Sequence, residues 1–308
     1  MSEIVISEFM DQATIARAFA GREVLYDPKL VDQPERLCAA VADSRALIVR
    51  NRTQVRGALL AAATRLEVVG RLGVGLDNID VEACAARQIV VRPATGANDL
   101  AVAEYVLTAA LMLLRRAWFA SDRVIAGAWP RMDLIGQEAA GKQLGLVGYG
   151  SIARLTAQKA AALGMHIGAY DPFLPVDHAA WRGVAHMPFE ELLDSSDIIS
   201  LHTPLTADTR RMIDTAALSR MKPGAILINA ARGGIVDEAA LAAALVAGRL
   251  GGAALDVFEN EPVNAAAGGA FHGVPNLILT PHIAGVSVES NVRVSEVTAR
   301  AVLAVLDG

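Results

Sequence analysis

Short, almost continuously apolar segments alternate with longer alanine-rich amphipathic segments along the whole chain, and this alternation most constrains the fold. The apolar segments are Ile4–Ser7, Ala46–Val49, Leu66–Val69 and Ile89–Arg92, followed by Gln143–Val147, His166–Tyr170, Ile198–Leu201, Ala225–Ile228, Gly252–Leu255 and Leu277–Leu279. Strands that are apolar on both faces are typical of parallel sheets covered by helices on both sides. The repeated strand–helix–strand units therefore predict an α/β protein with two doubly wound parallel sheets.

The composition agrees with this class and excludes several others. The chain has 308 residues, of which 53% are hydrophobic but only 5% aromatic, and 58 are alanines. This length allows two domains, and small apolar residues suit helices that pack closely on sheets. The net charge of −5 argues against a nucleic-acid-binding role, which requires a basic surface.

Neither the cysteines nor the apolar segments indicate a metal site or a membrane anchor. Cys38 and Cys84 are isolated, without a CxxC motif or a histidine at metal-ligand spacing, so we expect reduced thiols and no metal. The acidic start is unlike a signal peptide, and the longest apolar helical segment, Ala101–Leu114, is too short to span a bilayer. The sequence predicts a cytoplasmic protein without a membrane association.

Two polar junctions indicate where the domains meet. Pro93–Asp99 precedes a long apolar helix, and Ala284–Ser287 follows the last apolar strand. The segment after this second junction has the pattern of one amphipathic helix, and it contains no further strand for the second sheet. This helix is therefore able to pack back onto the first domain. The segmentation thus favours a first domain of residues 1–95 with 286–308, and a second domain of residues 96–285.

A glycine motif between two strands of the second series predicts dinucleotide binding. Gly148, Gly150 and Ala153 form a GxGxxA sequence that follows one strand and opens a helix, and Asp171 ends the next strand 21 residues after Gly150. The glycines allow a tight turn and a close approach of the pyrophosphate to the helix N-terminus. A carboxylate at this distance accepts hydrogen bonds from ribose hydroxyls and repels a 2′-phosphate, which favours NAD over NADP.

Four later strands end in polar residues that suit acid–base chemistry. His202, Arg232, the Asp256–Glu261 segment and His282 each follow a predicted strand. Because the carboxyl ends of parallel strands lie at one edge of a sheet, we expect these residues to gather there. For His202, a packing or hydrogen-bonding role is as well supported as a catalytic one.

The sequence resembles the NAD-dependent D-isomer-specific 2-hydroxyacid dehydrogenases. The matching segments lie in family order over nearly the whole chain, and they are Gly73–Asp80, Gly148–Ala153, His202–Leu205, Asn229–Asp237, Asp256–Pro262 and Thr280–Gly285. The resemblance implies two Rossmann-like domains, of which the substrate domain is discontinuous. It also implies a catalytic set of Arg232, Glu261 and His282.

The same resemblance implies which residues contact NAD. These residues are Gly148, Gly150, Ser151, Ile152, Asp171, Thr203, Pro204, Ala230, Arg232, Asp256, His282 and Gly285. Asp256 is expected beside the nicotinamide carboxamide. A homodimer that forms through the cofactor domain is also expected, although the apolar helix Ala101–Leu114 is equally well explained as a buried core helix.

The proposed roles follow from the chemistry of oxidising a 2-hydroxy acid, which removes a hydride from C2 and a proton from the hydroxyl. His282 suits the base, and Glu261 would orient its ring and stabilise the imidazolium. Arg232 would bind the substrate carboxylate in a bidentate pair, and the backbone N–H groups of Val74 and Gly75 would complete that site.

Two further arginines suggest a second anionic group on the substrate. Arg50 and Arg52 follow the strand Ala46–Val49, although both are also explicable as surface charges. Within the family, this segment and the Gly73–Asp80 loop resemble the 3-phosphoglycerate dehydrogenases, and the first residues resemble the (S)-sulfolactate dehydrogenase branch. We therefore expect a small acid with a phosphate or sulfonate on its third carbon.

Three alternatives remain beside this reading. The first is a glyoxylate, hydroxypyruvate or other D-2-keto acid reductase. The second, formate dehydrogenase, is disfavoured because the family pattern there has glutamine where this chain has Glu261. The third is an NAD-sensing, corepressor-like binding protein, which belongs to another class and is disfavoured because those relatives carry long extra tails.

Overall fold

The computed structural model describes residues 2–116 and 120–308, and the chain forms two compact units. Unit 1 comprises Met1–Asn98 and Val286–Gly308, and unit 2 comprises Asp99–Gly285. Each unit is built around one parallel β-sheet.

The strands and helices alternate along the chain. The strands are β1 (Ile4–Ile6), β2 (Val24–Tyr26), β3 (Ala46–Val49), β4 (Val68–Arg71), β5 (Val90–Pro93), β6 (Gln143–Val147), β7 (His166–Tyr170), β8 (Ala185–His186), β9 (Ile198–Leu201), β10 (Ile226–Asn229), β11 (Gly252–Leu255) and β12 (Leu277–Leu279). The α-helices are α1 (Gln12–Ala18), α2 (Pro34–Val41), α3 (Gly57–Ala62), α4 (Val81–Ala86), α5 (Asp99–Arg115), α6 (Ser121–Ile125), α7 (Ser151–Ala162), α8 (Phe189–Ser195), α9 (Thr215–Arg220), α10 (Glu238–Val246), α11 (Ala265–Gly268) and α12 (Val288–Leu306).

Unit 1 has a five-stranded sheet in the order β2-β1-β3-β4-β5, and α12 packs against it. Ser287 begins this helix with a capping box, in which its hydroxyl accepts from the Ser290 amide and the Ser290 hydroxyl accepts from the Ser287 amide. The apolar face of the helix buries Val294, Ala299 and Val302 in the same core as Ile4 and Ile48. The helix α12 therefore packs in the same core as the N-terminal strands β1 and β3.

Unit 2 has a seven-stranded sheet in the order β12-β11-β10-β9-β6-β7-β8. Its two faces are covered by separate apolar clusters, one around Leu146 and Ile228 and the other around Leu201 and Leu227. The helix α5 contributes Val106 and seven other buried side chains, and it packs on α7 and β10. Most of its apolar surface is thus already used inside unit 2.

The predicted fold class of two doubly wound parallel sheets is confirmed. Five of the predicted strands in the second series and Ala46–Val49 in the first have the bounds that the sequence indicated. The sequence reasoning missed β2 and β8, which have three and two residues and lie at sheet edges. With only three and two residues, these strands are too short to show a pattern, and they are partly buried or exposed rather than buried like the central strands.

None of the helices in residues 2–116 and 120–308 is long and apolar enough to cross a membrane.

The close packing of α12 on β4 leads to a prediction about the stability of the protein. A Cβ atom on Gly70 would lie 2.6 Å from Val302 Cγ2 and 2.9 Å from Thr298 Cγ2, closer than side chains tolerate. Gly70→Val should therefore force the helix off the sheet and destabilise the protein by about 1–3 kcal/mol, measured as a lower Tm by calorimetry. Gly269→Ala is the control, because Gly269 has φ −58° and open space around it. Equal Tm values for the two variants would contradict the packing.

Candidate active site

The turn after β6 has a backbone conformation that requires glycine. Gly148 has φ 87°, and a Cβ atom on it would lie 2.7 Å from the carbonyl oxygen of His202. This close approach joins the end of β6 to the end of β9, and these neighbouring strands lie on either side of the point where the strand order reverses. Ligands of doubly wound sheets bind at such a switch point.

The N-terminus of α7 offers an anion-binding surface. Gly150 is the N-cap, and no atom lies within 4 Å of where its Cβ would be, so the space beside the helix end is open. The amides of Ser151 and Ile152 belong to the first turn, where N–H groups have no acceptor within the helix. Ala153 is fully buried in the core beneath, which lets the helix lie close to the sheet. A pyrophosphate fits this arrangement.

Asp171 connects the glycine turn to the segment after β7. One carboxylate oxygen accepts from the Tyr149 amide at 2.8 Å and the other accepts from the Phe173 amide at 2.9 Å. Each oxygen retains a lone pair, because a carboxylate accepts about four hydrogen bonds. The side chain is thus fixed in place and still able to accept from ribose hydroxyls, as the sequence motif implies.

Thr203 supplies an independent sign that a polar molecule binds at the switch point. Its Oγ1 is buried and has no hydrogen-bond partner among the described residues. Buried hydroxyls without partners are rare because their desolvation costs free energy, so a bound group is expected to satisfy it. Together with the glycine turn and Asp171, this residue fits a dinucleotide. Pro204 and Ala230 follow β9 and β10 at the same edge.

Asp256, at the end of β11, organises the segment after β12. Its Oδ1 accepts from the Thr280 hydroxyl at 2.6 Å and the Ile283 amide at 2.8 Å, and its Oδ2 accepts from the Ala284 amide at 2.8 Å. Burial raises the pKa of Asp256, while these donors act in the opposite direction. The contact of this residue with the cofactor stays a prediction, and what the structure shows is that Asp256 holds the segment containing His282.

His282 and Glu261 form a hydrogen-bonded pair. His282 Nδ1 lies 2.7 Å from Glu261 Oε2, and the other carboxylate oxygen accepts from the Phe258 amide at 2.9 Å. The side chains are 36% and 29% exposed, so a ligand has access to the ring. Burial acts to raise the pKa of Glu261, but the hydrogen bonds from His282 and Phe258 and the charges of His282 and Arg232 together hold it below its ordinary value.

Arg232 lies in the turn after β10, which the side chain of Asn229 stabilises. Asn229 accepts from the Ala231 amide and donates to the Arg232 carbonyl, which closes the turn after β10. The next residue, Gly233, packs so tightly that a Cβ atom would lie 1.7 Å from the Phe258 carbonyl oxygen. The turn with Arg232 is therefore fixed against the loop that carries Glu261, and its charge acts on that carboxylate.

His202 lies in a different environment from His282. Burial lowers the pKa of His202 to about 4, and its Nε2 lies 3.0 Å from the Ser200 hydroxyl. The ring is thus neutral at neutral pH and already engaged. Of the two roles that the sequence left open, the structure favours hydrogen bonding and packing.

In unit 1, a buried carboxylate that sequence reasoning missed builds the loop after β3. Glu8 is 5% exposed and accepts from the backbone amides of Arg50, Arg52 and Thr53. It follows β1, so it lies at the switch point of the first sheet, between β1 and β3. The signal in the sequence was a single acidic residue directly after an apolar strand.

The two arginines of this loop have different partners. Arg50 donates to the Asn291 side chain at 2.6 Å, its guanidinium lies 5.7 Å from the ring centroid of Phe9, and burial lowers its pKa. Arg52 is more exposed and pairs with the carboxylate of Asp32. Within the described residues Arg50 forms no ion pair, whereas the charge of Arg52 is already balanced at the surface.

The loop after β4 exposes backbone donors. Gly73 has φ 146°, a backbone conformation that residues other than glycine rarely adopt, so the loop favours glycine here. The amides of Val74 and Gly75 have no acceptor in the part of the chain that the structure describes, and Val74 is 38% exposed. These donors suit a carboxylate. No group of three histidine, cysteine or acidic residues in the described ranges is arranged to hold a metal ion.

The doubly wound sheet, the glycine turn with Asp171 beside it and the histidine–carboxylate pair fit a nicotinamide-dependent oxidoreductase. Residues 107–284 match the model of the D-isomer specific 2-hydroxyacid dehydrogenase, NAD binding domain. The chain belongs to the NAD-dependent D-isomer-specific 2-hydroxyacid dehydrogenases.

Individual relatives support the same assignment. An (S)-sulfolactate dehydrogenase from Chromohalobacter salexigens is 54% identical over 97% of this chain and 96% of its own length. A D-3-phosphoglycerate dehydrogenase from Mycobacterium leprae is 39% identical over 99% of this chain, which spans only 57% of that relative. A D-lactate dehydrogenase from Aquifex aeolicus, solved with NAD and lactic acid, is 27% identical with a TM-score of 0.86 and coverage of 99% and 95%.

The pair of His282 and Glu261 predicts how activity depends on the carboxylate. Glu261→Gln keeps the shape but loses the charge, so kcat should fall by roughly 100- to 10,000-fold, as when the carboxylate that orients a catalytic histidine is amidated elsewhere. The pKa of Glu261 is lowered, so its carboxylate is ionised at neutral pH, and that charge is lost only as the pH falls through the lowered value.

Steady-state kinetics across the acidic range checks this prediction. The control is Glu259→Gln, which removes an exposed carboxylate whose ion-pair partner in the described residues is Arg211 and should leave kcat near wild type. An unchanged kcat in Glu261→Gln would show that the carboxylate does not serve the reaction.

Proposed function

We propose that the enzyme transfers a hydride reversibly between NAD and a three-carbon 2-hydroxy acid that carries a sulfonate or phosphate on its third carbon. The observation that carries the catalytic part is the contact of 2.7 Å between His282 Nδ1 and Glu261 Oε2, with the charge of Arg232 beside it. A cytoplasmic location remains our prediction from the sequence.

His282 acts as the acid–base group in this proposal. Because Nδ1 is held by Glu261, Nε2 is the ring nitrogen left for the substrate hydroxyl. During oxidation Nε2 takes the hydroxyl proton, and the adjacent carboxylate stabilises the imidazolium that forms. Bound NAD would supply the acceptor for the hydride that leaves C2. In the reduction, the imidazolium returns the proton to the carbonyl oxygen.

Arg232 holds the substrate carboxylate in the proposed reaction. Its planar guanidinium is able to bind both carboxylate oxygens, which fixes C2 in one orientation. From the sequence, the amides of Val74 and Gly75 remain predicted donors to the substrate carboxylate. Glu261 also carries a negative charge, so it balances Arg232 when no substrate is bound.

Arg50 is the residue that we propose for the second anionic group. It is half-buried, its guanidinium contacts Asn291 and the ring of Phe9, and the one carboxylate charge that acts on it in the described residues, that of Glu8, already accepts from three backbone amides. A cation in such a setting gains more from an anionic ligand than the surface-paired Arg52 does. The identity of 54% with an (S)-sulfolactate dehydrogenase supports a sulfonate. The stereochemistry agrees, because a sulfomethyl group outranks carboxylate in naming and the (S) acid has the spatial arrangement of a D-acid.

A substrate screen tests the proposed substrate class. NADH absorbance is followed with sulfolactate, 3-phosphoglycerate, glycerate and lactate, and in reverse with sulfopyruvate, hydroxypyruvate and glyoxylate. We expect kcat/KM to be highest for acids with an anion on the third carbon. In Arg50→Ala it should fall roughly 10- to 100-fold for these acids and little for lactate, since a charged hydrogen bond is lost.

Arg52→Ala is the matched control and should change kcat/KM little, because Arg52 pairs with Asp32 at the surface. An unchanged kcat/KM in Arg50→Ala would reject the second-anion proposal. Faster turnover of hydroxypyruvate or glyoxylate than of the acids with an anion on the third carbon would favour a general keto-acid reductase.

We also propose that the enzyme is a homodimer that forms through a segment of unit 2. Five apolar side chains between residues 124 and 135 are exposed, namely Val124 45%, Ile125 83%, Trp129 76%, Met132 78% and Ile135 62%. Several large exposed apolar side chains in one short segment are typical of a protein–protein contact. The sequence suggested α5 for this contact, but α5 is mostly buried within its own unit, so the segment after it is the better candidate.

Light scattering tests the dimer. The wild type should have twice the chain mass at micromolar concentration, and Ile125→Asp with Met132→Asp should have the mass of one chain, because charges oppose burial. Val246→Asp is the control, since Val246 is 67% exposed but lies on α10, outside the segment. A wild-type enzyme that stays monomeric would contradict the proposal.

A further inference from the structure

A chain of hydrogen bonds runs from the middle of α5 to the segment that carries His282. The Tyr105 hydroxyl lies 2.5 Å from Thr280 Oγ1, and Thr280 Oγ1 lies 2.6 Å from Asp256 Oδ1. Asp256 is 1% exposed, and Tyr105 and Thr280 are partly buried. Tyr105 lies outside every motif that identified the active site.

The direction of the donors in this chain follows from the groups themselves. An ionised carboxylate only accepts, so Thr280 must donate its single proton to Asp256. The lone pairs of Thr280 Oγ1 are then left to accept, and Tyr105 is the donor at this position. Burial raises the pKa of Tyr105 to about 12, so the phenol keeps its proton over the working range of the enzyme.

Asp256 holds the segment of residues 280–284 at four points. Besides the three bonds to its carboxylate, its carbonyl oxygen accepts from the His282 amide at 2.8 Å. His282 has φ 57°, a left-handed conformation that costs free energy for any residue but glycine. The backbone of the histidine is thus kept in an unfavourable conformation by the surrounding hydrogen bonds.

We infer that Tyr105 is a positioning residue for His282. By donating to Thr280, it orients the threonine hydroxyl towards Asp256, and Asp256 then holds the 280–284 segment in the conformation that presents the imidazole to Glu261. Tyr105 does not touch the imidazole and acts only through Thr280 and Asp256. The inference rests on the proposed role of His282.

The network also has a consequence for pH dependence. Asp256 must be ionised to accept all three of its hydrogen bonds, and loss of a donor makes the buried carboxylate easier to protonate. The titratable groups that act on Asp256 in the described residues are His282, whose charge favours ionisation, and Tyr105, which remains neutral. If Tyr105 cannot donate its proton to Thr280, Asp256 should become protonated at a higher pH than in the wild type, and the segment of residues 280–284 should then loosen at that higher pH.

The experiment compares Tyr105→Phe, Thr280→Val and Thr280→Ser with the wild type in full pH profiles. We expect kcat to fall by about 3- to 30-fold in Tyr105→Phe and Thr280→Val, with KM for the acid little changed, because a hydrogen bond within a charged network is lost. The acid limb of the kcat–pH profile, where activity is lost as the pH falls, should move to higher pH by roughly half to one unit. Thr280→Ser retains the hydroxyl and should keep both the wild-type kcat and the wild-type profile.

Tyr26→Phe is the matched control, since it makes the same change in β2 of unit 1. Two results would overturn the inference: a Tyr105→Phe enzyme with unchanged kcat and acid limb, or one whose activity falls by the same factor at every pH together with its Tm. His282→Asn separates this test from that of the proposed function. If His282→Asn remains active, the proposed acid–base role fails; if it is inactive and Tyr105→Phe is like the wild type, only the present inference fails.

Discussion

Parallel pairing of the strands is the constraint on which the site in unit 2 depends. In a parallel sheet every strand delivers its carboxyl end to the same edge, so loops that are far apart in sequence become neighbours. Arg232 follows β10, Asp256 follows β11 and His282 follows β12, and these three strands are adjacent in the sheet. The adjacent strands β10, β11 and β12 thus bring an arginine, a carboxylate and an imidazole to the same edge of the sheet, although these residues are far apart in sequence.

Small residues make the close approaches that this edge requires. Gly148 and Gly233 each lie against a neighbouring backbone, one at the His202 carbonyl and the other at the Phe258 carbonyl, where no Cβ atom fits. Each contact locks a loop that carries functional residues to the loop from an adjacent strand. The low aromatic and high alanine content has the same origin, because helices such as α7 bury alanines against the sheet.

The parts that could be predicted from sequence are those encoded by contiguous residues. The GxGxxA turn, the Asn229–Asp237 segment and the central strands each have a local pattern of glycine, capping or apolar residues. Glu8 and Tyr105 could not be found in this way, because their partners are 42 and 175 residues away and no spacing rule connects them. The opposite settings of Arg50 and Arg52 likewise depend on Asn291 and Asp32, which only the folded chain brings near.

The two histidines at this sheet edge differ in the chemistry available to them because their surroundings differ. His202 is buried against Ser200 without a carboxylate, and burial lowers its pKa to about 4, so it cannot carry a proton to a substrate near neutral pH. His282 keeps 36% of its side chain exposed and has Glu261 at Nδ1, which provides a charge to balance the imidazolium. A base in this reaction must bind and release a proton while in contact with the ligand. Only the second setting meets both requirements, and it does so because the Asp256 network holds His282 at the edge of the sheet while Glu261 approaches from the loop after β11.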